Sequence, residues 1–270
     1  MDNFSAIILG IIQGFFEFLP VSSSGHLILV REFLNLDEDN RLAIDAILHL
    51  ASSLAIVVYF RREILALIQT LLRKAGRLPV NEKDWTLLLA LVSGTVPAVV
   101  LGILFESFFD GLATMLVIGI MLFVGSLFLM FAEWRYFLKP PQGQLTIKQG
   151  FKVGLFQALA LIPGFSRLGA TTAGGMLLGM TRLEAARFSL LLAVPITFGL
   201  GAKKLLELIT GSSVVAWGPI LLSSAVCFLL GLVTIRLFLF IIKKYSLWPF
   251  VWYRIVLSLI IIYYAVLVAV

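Results

Sequence analysis

One short stretch of the chain concentrates groups able to do chemistry: Gln13-Gly14-Phe15-Phe16-Glu17-Phe18-Leu19-Pro20-Val21-Ser22-Ser23-Ser24-Gly25-His26. It holds a carboxylate, three consecutive hydroxyls and an imidazole. Around it lie Ile7-Ile8-Leu9-Gly10-Ile11-Ile12 and Leu27-Ile28-Leu29-Val30, runs that read as membrane. Ionisable groups at bilayer depth are expensive and by default mark a functional site. Gln13 and Glu17 are four apart and share a helix face. A carboxylate there can bind a divalent cation, orient a nucleophile or act as a base. Ser22, Ser23 and Ser24 offer a nucleophile and hydrogen bonds to phosphate, while one or two of them suit helix capping after Pro20. His26, three residues beyond Ser23, is a candidate to activate that nucleophile or protonate a leaving group. The plain alternative for it is a satisfied interior histidine.

A second stretch reads Pro163-Gly164-Phe165-Ser166-Arg167-Leu168-Gly169-Ala170-Thr171-Thr172-Ala173-Gly174-Gly175. Arg167 is always charged and presents a planar fork of donors suited to phosphate. Hydroxyls surround it, and glycines let backbone N–H groups approach a ligand. A turn of this kind leading into a helix makes an anion cradle. Glu17, Ser23, His26 and Arg167 together suggest hydrolysis of a phosphoanhydride or phosphoester at a membrane. Arginine would neutralise developing charge, a cation bound at Glu17 would assist, and serine or water would attack. Gln13, Ser22, Ser24, Gly25, Ser166, Gly169, Thr171 and Thr172 are the phosphate-binding or supporting positions.

The elements that must hold these groups are membrane helices. Of 270 residues, 60% are hydrophobic and 13% charged, and mean hydropathy is +1.05. A soluble domain is nearer about 25% charged, so an all-α polytopic membrane protein is expected, one membrane domain over 1–270. The start of the chain lacks the basic region of a cleaved signal peptide. The net charge of +6 sits in short loops, which argues topology rather than nucleic-acid binding. The single Cys227 excludes an internal disulfide and any multi-cysteine metal site, and reads as lipid-facing or packing.

A span needs about 20 apolar residues. Six full spans are expected, over about 42–60, 86–104, 114–132, 185–203, 218–242 and 249–270. Two interrupted segments, about 4–34 and 151–180, read as re-entrant hairpins or broken helices, which line a buried or watered cavity. Arg61, Arg62, Arg73, Lys74, Arg77 and Lys83 place loop 61–84 in the cytoplasm, as Arg135, Lys139, Lys148 and Lys152 do loop 133–152. Loop 105–111, with Glu106 and Asp110, falls outside, as do both termini. Lys243-Lys244 agrees with this orientation and Lys203-Lys204 does not. Gly10-Ile-Ile-Gln13 with Pro20 and Gly25 parallels Gly154-Leu-Phe-Gln157 with Pro163 and Gly169, and Pro97 parallels Pro195. Three spans follow each interrupted segment, an odd number, so the halves, about 1–139 and 148–270, form an inverted-topology repeat.

With those motifs in place, the chain resembles the undecaprenyl-diphosphate phosphatases of the bacitracin-resistance type. Gln13-Gly-Phe-Phe-Glu17 and Pro20-Val-Ser-Ser-Ser-Gly-His26 match that family's first motif. Pro163-Gly-Phe-Ser-Arg167-Leu-Gly-Ala-Thr171 matches its second. The segment ending Tyr59-Phe60-Arg61-Arg62 and the tail Lys243-Lys244, Pro249-Phe250 and Tyr253-Arg254 agree as well, so the likeness covers essentially the whole chain. It implies removal of one phosphate from a C55 polyprenyl diphosphate, recycling the carrier for cell-wall glycans. It also implies Mg²⁺ or Ca²⁺ dependence and a site opening to the outer face of the plasma membrane. Glu17, Ser23, His26 and Arg167 match the proposed catalytic positions, and Ser22, Ser166 and Thr171 supporting ones. Leu168 departs from the pattern, which has a second serine after the arginine. Either Thr171 or Thr172 compensates or that hydroxyl is dispensable. Expected partners are the lipid substrate and membrane lipids; a homodimer stays open. The rival reading is a flippase of polyprenyl phosphate, which has no need of a nucleophile beside a base. A channel would want polar stripes along several spans, which are absent here.

Overall fold

The computed structural model describes residues 2–34, 36, 41–138, 141, 145–210 and 216–268, without the side chains of 41–43, 106, 110 and 268. Lys139 and the side chains of Glu106 and Asp110, used above to orient the chain, lie outside the described residues. Among those described there is no strand. The helices are α1 (Asn3–Phe16), α2 (Ser23–Phe33), α3 (Arg41–Tyr59), α4 (Arg61–Ala75), α5 (Glu82–Leu104) and α6 (Glu106–Gly111). They continue with α7 (Met115–Leu138), α8 (Ile147–Leu159), α9 (Arg167–Leu177), α10 (Arg182–Thr210), α11 (Trp217–Lys244) and α12 (Trp248–Val268).

Among the described residues five helices, α5, α7, α10, α11 and α12, are long and apolar enough to cross a bilayer. Their outer faces expose Val92, Val96, Ile103, Ile120, Val233 and Ile260. Such a surface has hydrocarbon as its solvent, and the protein is an integral membrane protein. The span expected over 42–60 is different. α3, 19 residues long, counts as a candidate span only when taken with α4, and the two are bent by 82° at Phe60. α3 carries a polar load: Asp45 pairs with Arg31, His49 meets Gln13 and Ser52 donates to the Leu48 carbonyl. The segment read as a cytoplasmic loop, 61–84, begins with a helix. Ile64, Leu67, Ile68 and Leu71 recur at helical spacing, with Leu67 in the core and Arg61, Arg62, Arg73 and Lys74 exposed, the pattern of an interfacial helix.

Both interrupted segments are helix–break–helix units. α1 starts on an Asp2 cap, whose side chain accepts from the Ser5 N–H at 2.7 Å. α8 starts on a capping box between Thr146 and Gln149. α1 then packs on α11 and α8 on α5, in both cases backbone to backbone. A Cβ at Gly14 would stand 2.6 Å from the Cys227 carbonyl oxygen, and one at Gly154 would collide with that of Gly94. Only small residues permit such approach, which sets the depth of both breaks. The apolar core joins Phe18, Leu19 and Val21 of the first break to Leu168 of α9 and to Phe60, Leu129 and Phe238.

α10 runs on to Thr210, where Lys204 Nζ lies 2.9 Å and Lys203 Nζ 4.0 Å from Glu207 carboxylate oxygens. Glutamate counts little in the positive-inside rule, so the pair still runs against the expected orientation. Cys227 is fully buried, 3.3 Å from Ser52 Oγ, so it packs rather than facing lipid.

Candidate active site

The two breaks end alike. Ser22 caps α2 and Ser166 caps α9, each in the left-handed region, at φ 69° and 75°. Their Oγ atoms accept from the N–H of Gly25 at 3.4 Å and of Gly169 at 3.2 Å. A non-glycine residue held there is strained, by about 1–2 kcal/mol, and persists because the surroundings over-determine it. The result is two helix N-termini, at Ser23 and Arg167, delivered to the ends of their breaks with the positive ends of their dipoles free for an anion.

Glu17 is the hub of what lies there. Its Oε2 accepts from Ser23 Oγ at 2.6 Å and from Gln13 Nε2 at 3.1 Å. Its Oε1 lies 3.4 Å from His49 Nδ1 and 3.8 Å from Arg167 Nη1. The carboxylate is 12% exposed, Arg167 22% and His49 27%, so the cluster is sheltered yet reachable. Arg167 Nη1 is buried and has no hydrogen-bond partner among the described residues. An unused guanidinium donor beside a carboxylate and a hydroxyl is a group that waits for an acceptor, and a phosphate oxygen is the acceptor its fork fits.

His26 stands apart from this hub. Its Nδ1 meets the Ser22 carbonyl at 2.7 Å, its Nε2 meets Tyr253 Oη at 2.6 Å, and Phe16 stacks on its face with centroids 3.7 Å apart. A carbonyl only accepts, so Nδ1 carries the proton, and in the neutral ring Nε2 accepts from the tyrosine hydroxyl. Both nitrogens are spoken for, and neither is bonded to Ser23. Tyr253 of α12, 227 positions further along the chain, is a partner that local sequence does not reveal.

A residue absent from the sequence-level candidates holds the two breaks together. Arg254 is fully buried on α12. It donates to the Pro20 carbonyl at 2.9 Å in the first break and to the Phe165 carbonyl at 3.0 Å in the second. The Leu122 carbonyl at 3.2 Å and Ser126 Oγ at 3.1 Å complete its set. Each break carbonyl left unsatisfied would cost about 1–3 kcal/mol. Arg254→Met is therefore expected to lower the melting temperature in detergent and activity together. A variant melting like the wild type would contradict the stapling role.

Comparison with known proteins bears directly on this arrangement. The family model described as "Bacitracin resistance protein BacA" matches residues 6–260. The chain belongs to that family. It is 39% identical over 275 residues to "Undecaprenyl-diphosphatase" of Marinobacter nauticus, covering 99% of this chain and all of that one. It is 40% identical over 260 residues to "Undecaprenyl-diphosphatase 2" of Agrobacterium fabrum, covering 94% and 92%. "Undecaprenyl-diphosphatase 1" of Pseudoalteromonas translucida is 38% identical over 259 residues, covering 96% and 97%.

Within this family frame the remaining candidates sort by what they touch. Ser24 Oγ shares a hydrogen bond with Ser22 Oγ at 3.0 Å. Thr171 Oγ1 donates to the Arg167 carbonyl at 2.8 Å, and Thr172 Oγ1 to Ser189 Oγ at 3.2 Å. These hydroxyls shape the turn and dock α9 on α10. Gly169 leaves room for Arg254, since a Cβ there would meet Nη1 at 2.7 Å. Leu168 packs into the apolar core, so at this position the side chain serves packing. Asp45 pairs with Arg31, at 2.6 and 3.0 Å, and leaves His49 to the hub. Glu133 takes Arg182 and the Leu247 N–H, and Arg187 pairs with Glu63; both are ties between helices.

Proposed function

We propose that this chain hydrolyses undecaprenyl diphosphate to undecaprenyl phosphate and inorganic phosphate, with Glu17, Ser23 and Arg167 as the reacting groups. The observation that carries this reading is the Ser23–Glu17 hydrogen bond of 2.6 Å beside the unused Arg167 Nη1, inside a bundle whose outer faces are hydrocarbon-seeking. A lipid phosphate carrier would need the arginine but not the hydroxyl on a carboxylate.

In this reading Arg167 and the N-termini of α2 and α9 take the terminal phosphate. Glu17 Oε2 accepts the proton of the attacking oxygen, which is Ser23 Oγ or a water in its place. That oxygen bonds to the terminal phosphorus, the bridging P–O bond breaks, and its electron pair leaves on undecaprenyl phosphate. Were serine to attack, water would then cleave the phosphoserine and restore the hydroxyl. Arg167 offsets charge on the equatorial oxygens as it builds. A phosphate leaving group needs little protonation, so His26, tied between Ser22 and Tyr253, serves to fix the serine turn.

A divalent cation fits this donor set. Gln13 Oε1 is buried with no hydrogen-bond partner among the described residues, and the Glu17 carboxylate stands one helical turn further along. These are two hard oxygen donors, and no cluster of three His, Cys, Asp or Glu occurs among the described residues. An ion held by so few protein ligands would take the rest from phosphate and water, as Mg²⁺ does. When bound it would supply charge neutralisation for the phosphoryl oxygens. Removing divalent ions with EDTA is expected to lower turnover about 100-fold, the equivalent of the several kcal/mol such an ion contributes. Turnover unchanged in EDTA would remove the metal from the reading.

The architecture proposed is one membrane domain of two inverted halves, 1–139 and 148–270, with the breaks re-entering from opposite faces. Support comes from the exchanged pairs α1 on α11 and α8 on α5 and from the twin serine caps; these pairs make α5 the counterpart of α11, so Pro97 on α5 and Pro195 on α10 are not repeat mates. The exposed cations of α4 support the cytoplasmic assignment of that end and hence termini on the outer face; an outward-opening site is what the family resemblance adds. The test of the function is product analysis: purified protein in detergent with Mg²⁺ should release one phosphate per C55 diphosphate and leave the monophosphate. A folded protein that releases none contradicts it.

A further inference from the structure

His49 belongs to neither sequence motif, yet α3 delivers it into the Glu17 hub. The direction of its hydrogen bonds can be worked out. Gln13 Nε2 lies 3.1 Å from Glu17 Oε2 and 3.0 Å from His49 Nδ1. A carboxylate oxygen accepts, so the nitrogen end of the Gln13 amide must face it, and that nitrogen has two hydrogens. One serves Glu17 and the other points at Nδ1, which must then be the acceptor. An imidazole that accepts at Nδ1 carries its hydrogen on Nε2. Nε2 finds no hydrogen-bond partner among the described residues, and the side chain is 27% exposed. Arg167 Nη1, also without a hydrogen-bond partner, approaches the same Glu17 oxygen as His49 does. The ring atom nearest Glu17 Oε1 is Nδ1, at 3.4 Å, so the unused Nε2–H is directed away from the carboxylate, while the unused Arg167 Nη1 lies 3.8 Å from it. Asp45, one turn back on α3, is occupied by Arg31.

We propose that His49 is a substrate-contacting residue, donating its Nε2–H to a diphosphate oxygen, with the Gln13 amide holding the ring in the donor state. The inference rests on the hydrolytic reading above. Gln13 then has a double task, bracing Glu17 and presenting His49. The diphosphate then takes one donor from His49 and another from Arg167.

Two substitutions separate contact with substrate from support of the hub. The amide of asparagine overlays Nδ1 and can still meet Gln13, but it stops short of the Nε2 position. The amide of glutamine reaches that position with an N–H. KM and kcat for a C15 polyprenyl diphosphate, measured with Mg²⁺ in detergent, should separate them. His49→Asn is expected to raise KM by at least about tenfold, the size of one lost hydrogen bond to a charged group. His49→Gln should raise it less than about threefold, since it keeps that bond. His49→Leu, filling the ring's volume with no donor, should behave as His49→Asn and serves if the asparagine variant fails to fold. Asparagine equal to or better than glutamine, or leucine with the wild-type KM, would overturn the role. A wild type that releases no phosphate would instead contradict hydrolysis itself, so the two failures are distinguishable.

Discussion

Arg167→Ala is expected to lower kcat/KM for a polyprenyl diphosphate by about 10³–10⁵-fold, the range for an arginine that neutralises a transferring phosphoryl group. The expectation follows from what the side chain does without substrate. Its Nη1 has no hydrogen-bond partner among the described residues, and its nearest charge is Glu17 Oε1 at 3.8 Å. Little of the fold depends on it, so the variant should elute and melt like the wild type while turnover disappears. Arg167→Lys should recover only a small part, because an ammonium is a point charge and cannot present two parallel donors to a phosphate. An alanine variant that is folded and fully active would remove the second break from the site.

Glu17→Gln should be nearly as severe, a loss of about 10²–10⁴-fold, the usual contribution of a positioned base. The amide keeps the volume and can still accept from Ser23. It loses the charge that draws Arg167 and the capacity to receive the proton of the attacking oxygen. Phosphate release at saturating substrate is the measurement, because the loss should fall on kcat. A variant with wild-type kcat would mean that the base lies elsewhere, and the Ser23–Glu17 bond would be only structural.

The motifs made Glu17, Ser23 and Arg167 legible because membrane hydrophobicity leaves polar residues conspicuous. The same contrast showed the two interrupted segments and the spans that became α5, α7, α10, α11 and α12. What stayed hidden depends on long-range closure. Arg254 reaches Pro20 across 234 positions of sequence, and Tyr253 reaches His26 across 227. Both sit in a helix whose composition reads as an ordinary interfacial end. His49 lies outside both motifs, and nothing in its local sequence points to Gln13, 36 positions away. Thr171 and Thr172 read as ligands by type alone, and helix geometry turned one back onto its own turn and the other into α10. The α4 helix was masked by its charges, though Ile64, Leu67, Ile68 and Leu71 carried the helical period. Leu168 looked like a lost hydroxyl, while its burial makes it a core residue.

The central claim is that the two breaks build one hydrolytic site around Glu17 and Arg167. It is tested most directly by phosphate release from C55 polyprenyl diphosphate, using purified protein with Mg²⁺. The wild type would be compared with Glu17→Gln and Arg167→Ala, all three shown to be folded. The account predicts one phosphate and one polyprenyl monophosphate per substrate in the wild type, and almost none in either variant. Release at the wild-type rate from one of the folded variants, or none from the wild type, would contradict it.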